Sequence, residues 1–114
     1  MILGVGIDIC QNNRIKIEMA SRILNGEEKL IFDSFSREER KIEYLSGRFA
    51  VKEALIKAFS QANREIFMRD ITILNDELNR PFLAKPIFQD IKIHLSISHE
   101  TEYTIGFAIM ETKR

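Results

Sequence analysis

The run Gly47-Arg48-Phe49-Ala50-Val51-Lys52-Glu53-Ala54-Leu55-Ile56-Lys57 decides how this chain is read, because it sets four charged side chains into an otherwise almost wholly apolar segment. At helical spacing Glu53 and Lys57 form an i, i+4 pair on one face, and Arg48 and Lys52 form a second such pair well round the cylinder. Phe49 and Ile56 lie between them on one side, with Ala50, Val51, Ala54, Leu55 and Ala58 on the other. A helix that is apolar over most of its circumference is buried, and an unpaired ion inside it is costly. Each pair is therefore expected to face something specific. Taken alone, the helix favours structural salt bridges over a site.

Working outward, Ser36-Arg37-Glu38-Glu39 fits a capping box, so the long helix is expected to open there and to run to about Ser60. Gly47 inside it weakens the helix by roughly 1 kcal/mol relative to alanine, which a tight packing contact would explain. At the start of the chain, residues 2 to 9 alternate as a strand: Leu3, Val5, Ile7 and Ile9 on one face, Gly4, Gly6 and Asp8 on the other. A glycine face admits a close neighbour, either backbone or ligand. Asp8 stands at the end of that cleared face. A first helix is expected from Asn12 or Asn13 to about Leu24, with Asn25-Gly26 as its stop, followed by a short apolar turn or helix over Leu30 to Phe35.

Beyond the long helix, Ile71 to Leu74 and Pro81 to Leu83 read as a hairpin. A short helical turn is expected between Pro86 and Ile91. Lys92 to Ser98 and Tyr103 to Met110 read as a second hairpin about Glu100-Thr101-Glu102. The last strand again has a bulky face (Tyr103, Ile105, Phe107, Ile109) and a small one (Thr104, Gly106, Ala108). The expected architecture is α+β: a single compact domain over residues 1–114, with an antiparallel-rich sheet packed on a long helix.

At 45% hydrophobic and 30% charged residues, a chain of 114 can bury a real core. Equal counts of basic and acidic residues, 17 each, give no support to a broad nucleic-acid footprint. No segment approaches a membrane span, and the apolar start lacks a basic leader region, so neither nucleic acid nor membrane is an expected partner. The lone cysteine, Cys10, is read as a small buried hydrophobe in a reducing, cytoplasmic setting. There is no Cys/His zinc spacing, P-loop, nucleophile elbow or dinucleotide fingerprint.

Three elements can be combined into a site. Asp8 ends the first strand, Glu53 and Lys57 project from the long helix, and Ser96-Ile97-Ser98-His99-Glu100 ends a late strand at its turn. Two carboxylates from different elements suit a Mg²⁺ ion that is otherwise held by water and substrate phosphate oxygens. A lysine one helical turn from such a carboxylate suits a phosphate. Singly, Asp8 is as readily a helix cap, His99 a turn histidine, and Ser98 an ordinary turn residue.

Gly-Ile-Asp-Ile at 6 to 9, Arg-Phe-Ala-Val-Lys-Glu-Ala-Leu-Ile-Lys at 48 to 57 and Ser-Ile-Ser-His at 96 to 99 resemble, in order and spacing, the motifs of the holo-acyl-carrier-protein synthases, the short-chain 4′-phosphopantetheinyl transferases. The resemblance spans almost the whole chain. It implies a small α+β homotrimer with coenzyme A between subunits, moving 4′-phosphopantetheine to a serine of apo acyl carrier protein in fatty acid biosynthesis. It further implies Asp8 and Glu53 as Mg²⁺ ligands, Lys57 at the pyrophosphate and His99, with Ser98 beside it, near the nucleotide; the placement of charge in turn makes Glu53 the expected acceptor of the serine proton and Lys57 the group expected at the departing phosphate. Arg48 and Lys52, on the other polar stripe, are expected to serve a neighbouring subunit or the 3′-phosphate of coenzyme A, Arg48 being counted among the coenzyme A contacts, with ion pairing within the fold as the alternative reading, above all for Lys52. Arg14 and Arg22, with Glu18 between them, are expected to meet the acidic carrier protein. Two departures stand out: Ser60-Gln61-Ala62-Asn63-Arg64 replaces the family's glycine-rich stretch, and Leu78-Asn79-Arg80-Pro81 its Asn-Gly hairpin. Competing readings are a noncatalytic module binding coenzyme A or carrier protein, and a magnesium-dependent nucleotide hydrolase.

Overall fold

The expected long helix forms and dominates the molecule. A computed structural model of the chain describes residues 1–113. In it α3 spans Glu38–Gln61, preceded by β1 (Ile2–Gln11), α1 (Ala20–Ile23) and α2 (Gly26–Ser34) and followed by β2 (Thr72–Asn75), β3 (Pro81–Lys85), β4 (Ile91–His99) and β5 (Tyr103–Thr112). The strands make an antiparallel sheet in the order β1-β5-β4 and a separate β2-β3 hairpin. The helix starts after Arg37 without a side-chain cap, so the Ser36 capping box does not form.

Alternation in β1 and β5 explains how sheet and helix meet. Gly4, Gly6 and Gly106 turn their bare Cα atoms to α3, and a Cβ on any of them would overlap backbone of Ala58, Ala54 or Ala50 respectively. Those three alanines are four residues apart, one per helical turn, so an alanine ridge lies in a glycine groove. Gly6→Ala is expected to lower stability by about 1–3 kcal/mol, because rigid backbone on both sides must move. Urea denaturation would show the loss as an earlier midpoint.

The two flanks of α3 carry the core. Val51, Leu55 and Phe59 pack with Ile71, Ile73, Ile91 and Met110, while Leu45 and Tyr44 pack with Ile15, Ile23, Leu24 and Phe32. From Tyr44 to Phe59 the helix is buried except along a stripe through Phe49, Glu53, Ile56 and Lys57. That stripe is where chemistry can reach the helix.

The N-terminal third differs from expectation. Between Asn12 and Ile23 the chain forms two 3₁₀ turns, Asn12–Arg14 and Ile17–Met19, and then the short α1, in place of one continuous helix. Asn12 is drawn out of a capping role because its side chain bonds the β4-β5 turn. The Asn25-Gly26 stop is in fact a start. Asn25 is the N-cap of α2, and Glu28 reaches back to accept its backbone N–H at 2.9 Å. The helical turn expected before Ile91 is also absent; residues 86–90 are irregular.

Lys52 is fully buried and donates to Glu28 Oε1 at 2.7 Å and to the Ile23 carbonyl at 2.6 Å. Glu28, equally buried, accepts the Ile73 N–H with its other oxygen at 2.7 Å. Burial pulls the Lys52 ammonium below the ordinary lysine range, and Glu28 pulls it back. This ion pair joins α3, α1, α2 and β2 at one point.

Candidate active site

Asp8 and Glu53 reach one cleft from different elements. Asp8 lies on β1 opposite Gly106, and the glycines that let α3 approach the sheet also bring the open stripe of α3 beside it. The cleft is about 600 Å³ and is lined by Asp8, Glu53, Phe49, Arg14, Met19 and Tyr103. Lys57 spans from the helix to the strand, donating to the Ile7 carbonyl at 2.9 Å and to Asp8 Oδ1 at 3.2 Å. The anticipated Glu53–Lys57 ion pair is thus replaced by Lys57–Asp8, since crossing to β1 gives the ammonium two acceptors.

Glu53 is left without an ion pair of its own among the described residues. Burial first, and the Asp8 carboxylate second, push its carboxyl above the ordinary range, with Lys57 opposing. Two carboxylates that repel one another in an open cleft are suited to share a cation. No group of three or more His, Cys, Asp or Glu side chains is placed to hold a metal ion among the described residues, and the carboxylates this cleft offers are those of Asp8 and Glu53. That donor set fits Mg²⁺, which keeps water and substrate oxygens in its shell, and does not fit zinc. The neighbouring Cys10 is half-buried, and burial, followed by Asp8, pushes its thiol up, against a nucleophilic role.

His99 and Arg48 belong to a different pocket. It measures about 280 Å³ and brings together Arg40, Arg48, His99, Asn75, Asn79 and Tyr44. The His99 imidazole packs on Gly47, where an added Cβ would stand 3.1 Å from Nε2, so this glycine is explained by the close contact. Arg48 is almost fully buried; it donates to the Ile73 carbonyl at 3.0 Å and to Asn75 Oδ1 at 2.9 Å, and its guanidinium stacks over Tyr44. Asn79 sits at φ 64° in the turn and accepts from Asn75, which fixes the pocket wall. Ser98 is exposed on the opposite side of β4 from Ile97 and His99. Arg14 and Arg22 are both exposed, but the broken helix removes the continuous stripe on which Glu18 was placed between them.

Arg40 and Glu28 escaped the sequence reading. Arg40, Tyr44 and Arg48 recur every four residues, which was a usable signal. The Asn25-x-x-Glu28 spacing is a capping box that was hidden by treating Asn25-Gly26 as a stop.

An acidic pair with a bridging lysine at one cleft, and a basic pocket a few turns along the same helix, is the apparatus of an enzyme acting on a phosphoryl compound. The model of the 4'-phosphopantetheinyl transferase superfamily matches residues 4–108, and the chain belongs to that family. It is 41% identical to the holo-[acyl-carrier-protein] synthase of Petrotoga mobilis, over 96% of this chain and 97% of that one. It is 37% identical to that of Acholeplasma laidlawii, over 99% of each. Among solved structures, a holo-(acyl-carrier-protein) synthase from Bacillus anthracis in complex with CoA (3',5'-ADP) superimposes with a TM-score of 0.86 at 32% identity, covering 99% of both chains.

Proposed function

We propose that residues 1–114 form one holo-acyl-carrier-protein synthase domain that transfers 4′-phosphopantetheine from coenzyme A to a serine of apo acyl carrier protein, releasing adenosine 3′,5′-bisphosphate. The observation that carries this reading is the convergence of Asp8, Glu53 and Lys57 at one cleft in a chain of this family. The serine oxygen attacks the β-phosphorus in line, the bond from that phosphorus to the bridging oxygen breaks, and the α-phosphate leaves with the nucleotide. Glu53, half-buried and inclined to hold a proton, is placed to accept the one the serine loses. Lys57 offers its ammonium to the departing phosphate, exchanging the Asp8 contact for it. Mg²⁺ held by Asp8 and Glu53 would supply charge neutralisation at the pyrophosphate. Arg48 and His99, with Arg40 beside them, would take the nucleotide phosphates.

The two pockets are joined in this reading by assembly. Val5, Ile7 and Ile9 of β1 and Tyr103 and Ile105 of β5 leave an apolar outer sheet face exposed, Ile7 by 58% and Ile9 by 60%. Covered by neighbouring copies in a homotrimer, that face would set one subunit's carboxylate cleft against another's basic pocket, and would bring Ser98 into reach of coenzyme A. Ile9→Glu is expected to yield monomers in sedimentation experiments and to lose transfer together with assembly.

The setting proposed is cytoplasmic fatty acid biosynthesis; no helix among the described residues is long and apolar enough to cross a membrane. Arg14, at the rim of the carboxylate cleft, and Arg22 would meet the acidic carrier protein. Its affinity is accordingly expected to fall as salt is raised from 50 to 500 mM, by about three- to tenfold; an affinity independent of salt would remove both arginines from the interface. The reaction itself is tested by following coenzyme A with Mg²⁺. Adenosine 3′,5′-bisphosphate should appear only when apo carrier protein is present. Release without carrier would make the protein a hydrolase, and binding without release would make it a noncatalytic module.

A further inference from the structure

The β4-β5 turn holds a chain of hydrogen bonds whose proton directions can be worked out. The Asn12 side-chain amide donates both its protons to backbone carbonyls, of Glu100 at 2.9 Å and Thr101 at 3.1 Å. Carbonyls only accept, so the amide nitrogen must face them and Oδ1 must point the other way. The Asn12 backbone N–H pins the same turn by donating to the Glu102 carbonyl at 2.8 Å. Asn12 Oδ1 lies 2.7 Å from Thr104 Oγ1. Two oxygens at that distance need a proton between them, and only the hydroxyl has one, so Thr104 donates to Asn12.

The hydroxyl has then no proton left for its second neighbour, His99 Nδ1, at 3.2 Å. Thr104 is fully buried, and no rotation offers its proton elsewhere without breaking the 2.7 Å bond. His99 Nδ1 must therefore carry the hydrogen, and in the neutral ring Nε2 is the bare nitrogen. Nε2 lies against Gly47 at the edge of the pocket shared with Arg40 and Arg48.

We propose that Asn12 and Thr104 are positioning residues that hold His99 as the Nδ1–H tautomer and so present Nε2 to the basic pocket as a proton acceptor. This placement of the tautomer stands on hydrogen-bond directions alone; its consequence for ligands rests on the reading of the pocket as a nucleotide phosphate site. A phosphate oxygen is itself an acceptor, so it can bond Nε2 only after the ring takes up a proton. Binding of a nucleotide phosphate is thus coupled to protonation of His99.

The charged groups facing the ring are Arg40, Arg48 and Glu43 on α3, together with Glu100 on the turn, whose carboxylate is bound to the Glu102 N–H. Burial chiefly holds the imidazole below the ordinary histidine range; the two arginines add to this and Glu43 opposes it. The ligand-free ring is thus harder to protonate than an ordinary histidine, and a bound phosphate, which needs the protonated ring, opposes that tendency.

Two-bond ¹H–¹⁵N spectra of ring-labelled histidine, with His94→Gln used for assignment, read the tautomer of the ligand-free protein. The Nδ1–H pattern is expected for His99 in the wild type and in Thr104→Ser. Thr104→Val, close in shape, removes the only acceptor of Nδ1–H among the described residues and should move the ring towards Nε2–H. Asn12→Ala, at a half-exposed position, frees the Thr104 proton and should do the same without altering the core.

Calorimetric titration with adenosine 3′,5′-bisphosphate supplies the second readout. Above pH 7 the wild-type affinity should fall by up to about tenfold per pH unit, and Thr104→Val should flatten that slope while Thr104→Ser keeps it. An Nε2–H pattern in the wild type, or a tautomer unchanged in both Thr104→Val and Asn12→Ala, would overturn the relay. The expected tautomer pattern with no nucleotide binding would support the relay and overturn the reading of the pocket.

Discussion

Glu53→Gln is expected to lower kcat/KM for phosphopantetheine transfer on the order of 10²- to 10³-fold without loss of fold. The size follows from what the substitution takes away. Glu53 lies in a half-buried position beside Asp8, and the cost of that arrangement appears as a carboxyl pushed above its ordinary range. No protein partner among the described residues compensates, because Lys57 turns to Asp8 and Ile7. A group kept unpaired and desolvated in a cleft is held there for something that arrives from outside. Glutamine preserves the shape but can neither take the serine proton nor offer charge to Mg²⁺. Since the carboxylate supports no other residue, thermal stability should hold or rise slightly. Steady-state kinetics with a melting curve on the same sample check both halves; a rate within threefold of wild type would remove Glu53 from the chemistry.

Lys52→Met is expected to destabilise the fold by about 3–5 kcal/mol, although Lys52 stands next to Glu53 in the sequence. Lys52 makes no contact with either pocket. Its ammonium is buried against Glu28 and the Ile23 carbonyl, and Glu28 in turn ties the start of α2 to β2 through the N–H groups of Asn25 and Ile73. Removing the cation leaves a buried carboxylate whose remaining bonds do not balance its charge. Adding Glu28→Gln should recover part of the loss, because glutamine can still accept a backbone N–H and no longer carries a charge. Urea denaturation of the two single variants and the double variant measures the coupling. A double variant no more stable than Lys52→Met would mean that the carboxylate was not the source of the cost.

The signature helix therefore divides its charges by face, and only part of that division was legible in the sequence. The glycine faces of β1 and β5 and the alanine ridge of α3 are period-2 and period-3.6 patterns, and patterns of that kind survive folding unchanged. Asp8 and Glu53 were legible for the same reason, as polar residues at the open end of a cleared face and on the stripe left over by the core.

The partner of Lys52 was not legible. A contact between residues 24 apart depends on where α2 lies, and Asn25-Gly26, expected as a helix stop, is the start of that helix. The break between Asn12 and Ile23 was hidden for a related reason. The apolar spacing of that segment suits a helix, but Asn12 finds stronger partners in the carbonyls of a turn 88 and 89 residues away. Tertiary bonds of that range override a local preference worth a few tenths of a kcal/mol per residue. His99 was visible as a residue and not as a tautomer, since Thr104 and Asn12 converge on it from two other elements.

The central claim is that Asp8 and Glu53 serve group transfer to a protein, and the mass of the acceptor tests it most directly. Apo acyl carrier protein incubated with coenzyme A, Mg²⁺ and the wild-type chain should gain the mass of a single phosphopantetheine group on one serine, while Asp8→Asn and Glu53→Gln should leave it unmodified over the same interval. An unmodified carrier with the wild-type protein, or equal modification by the two variants, would contradict the account.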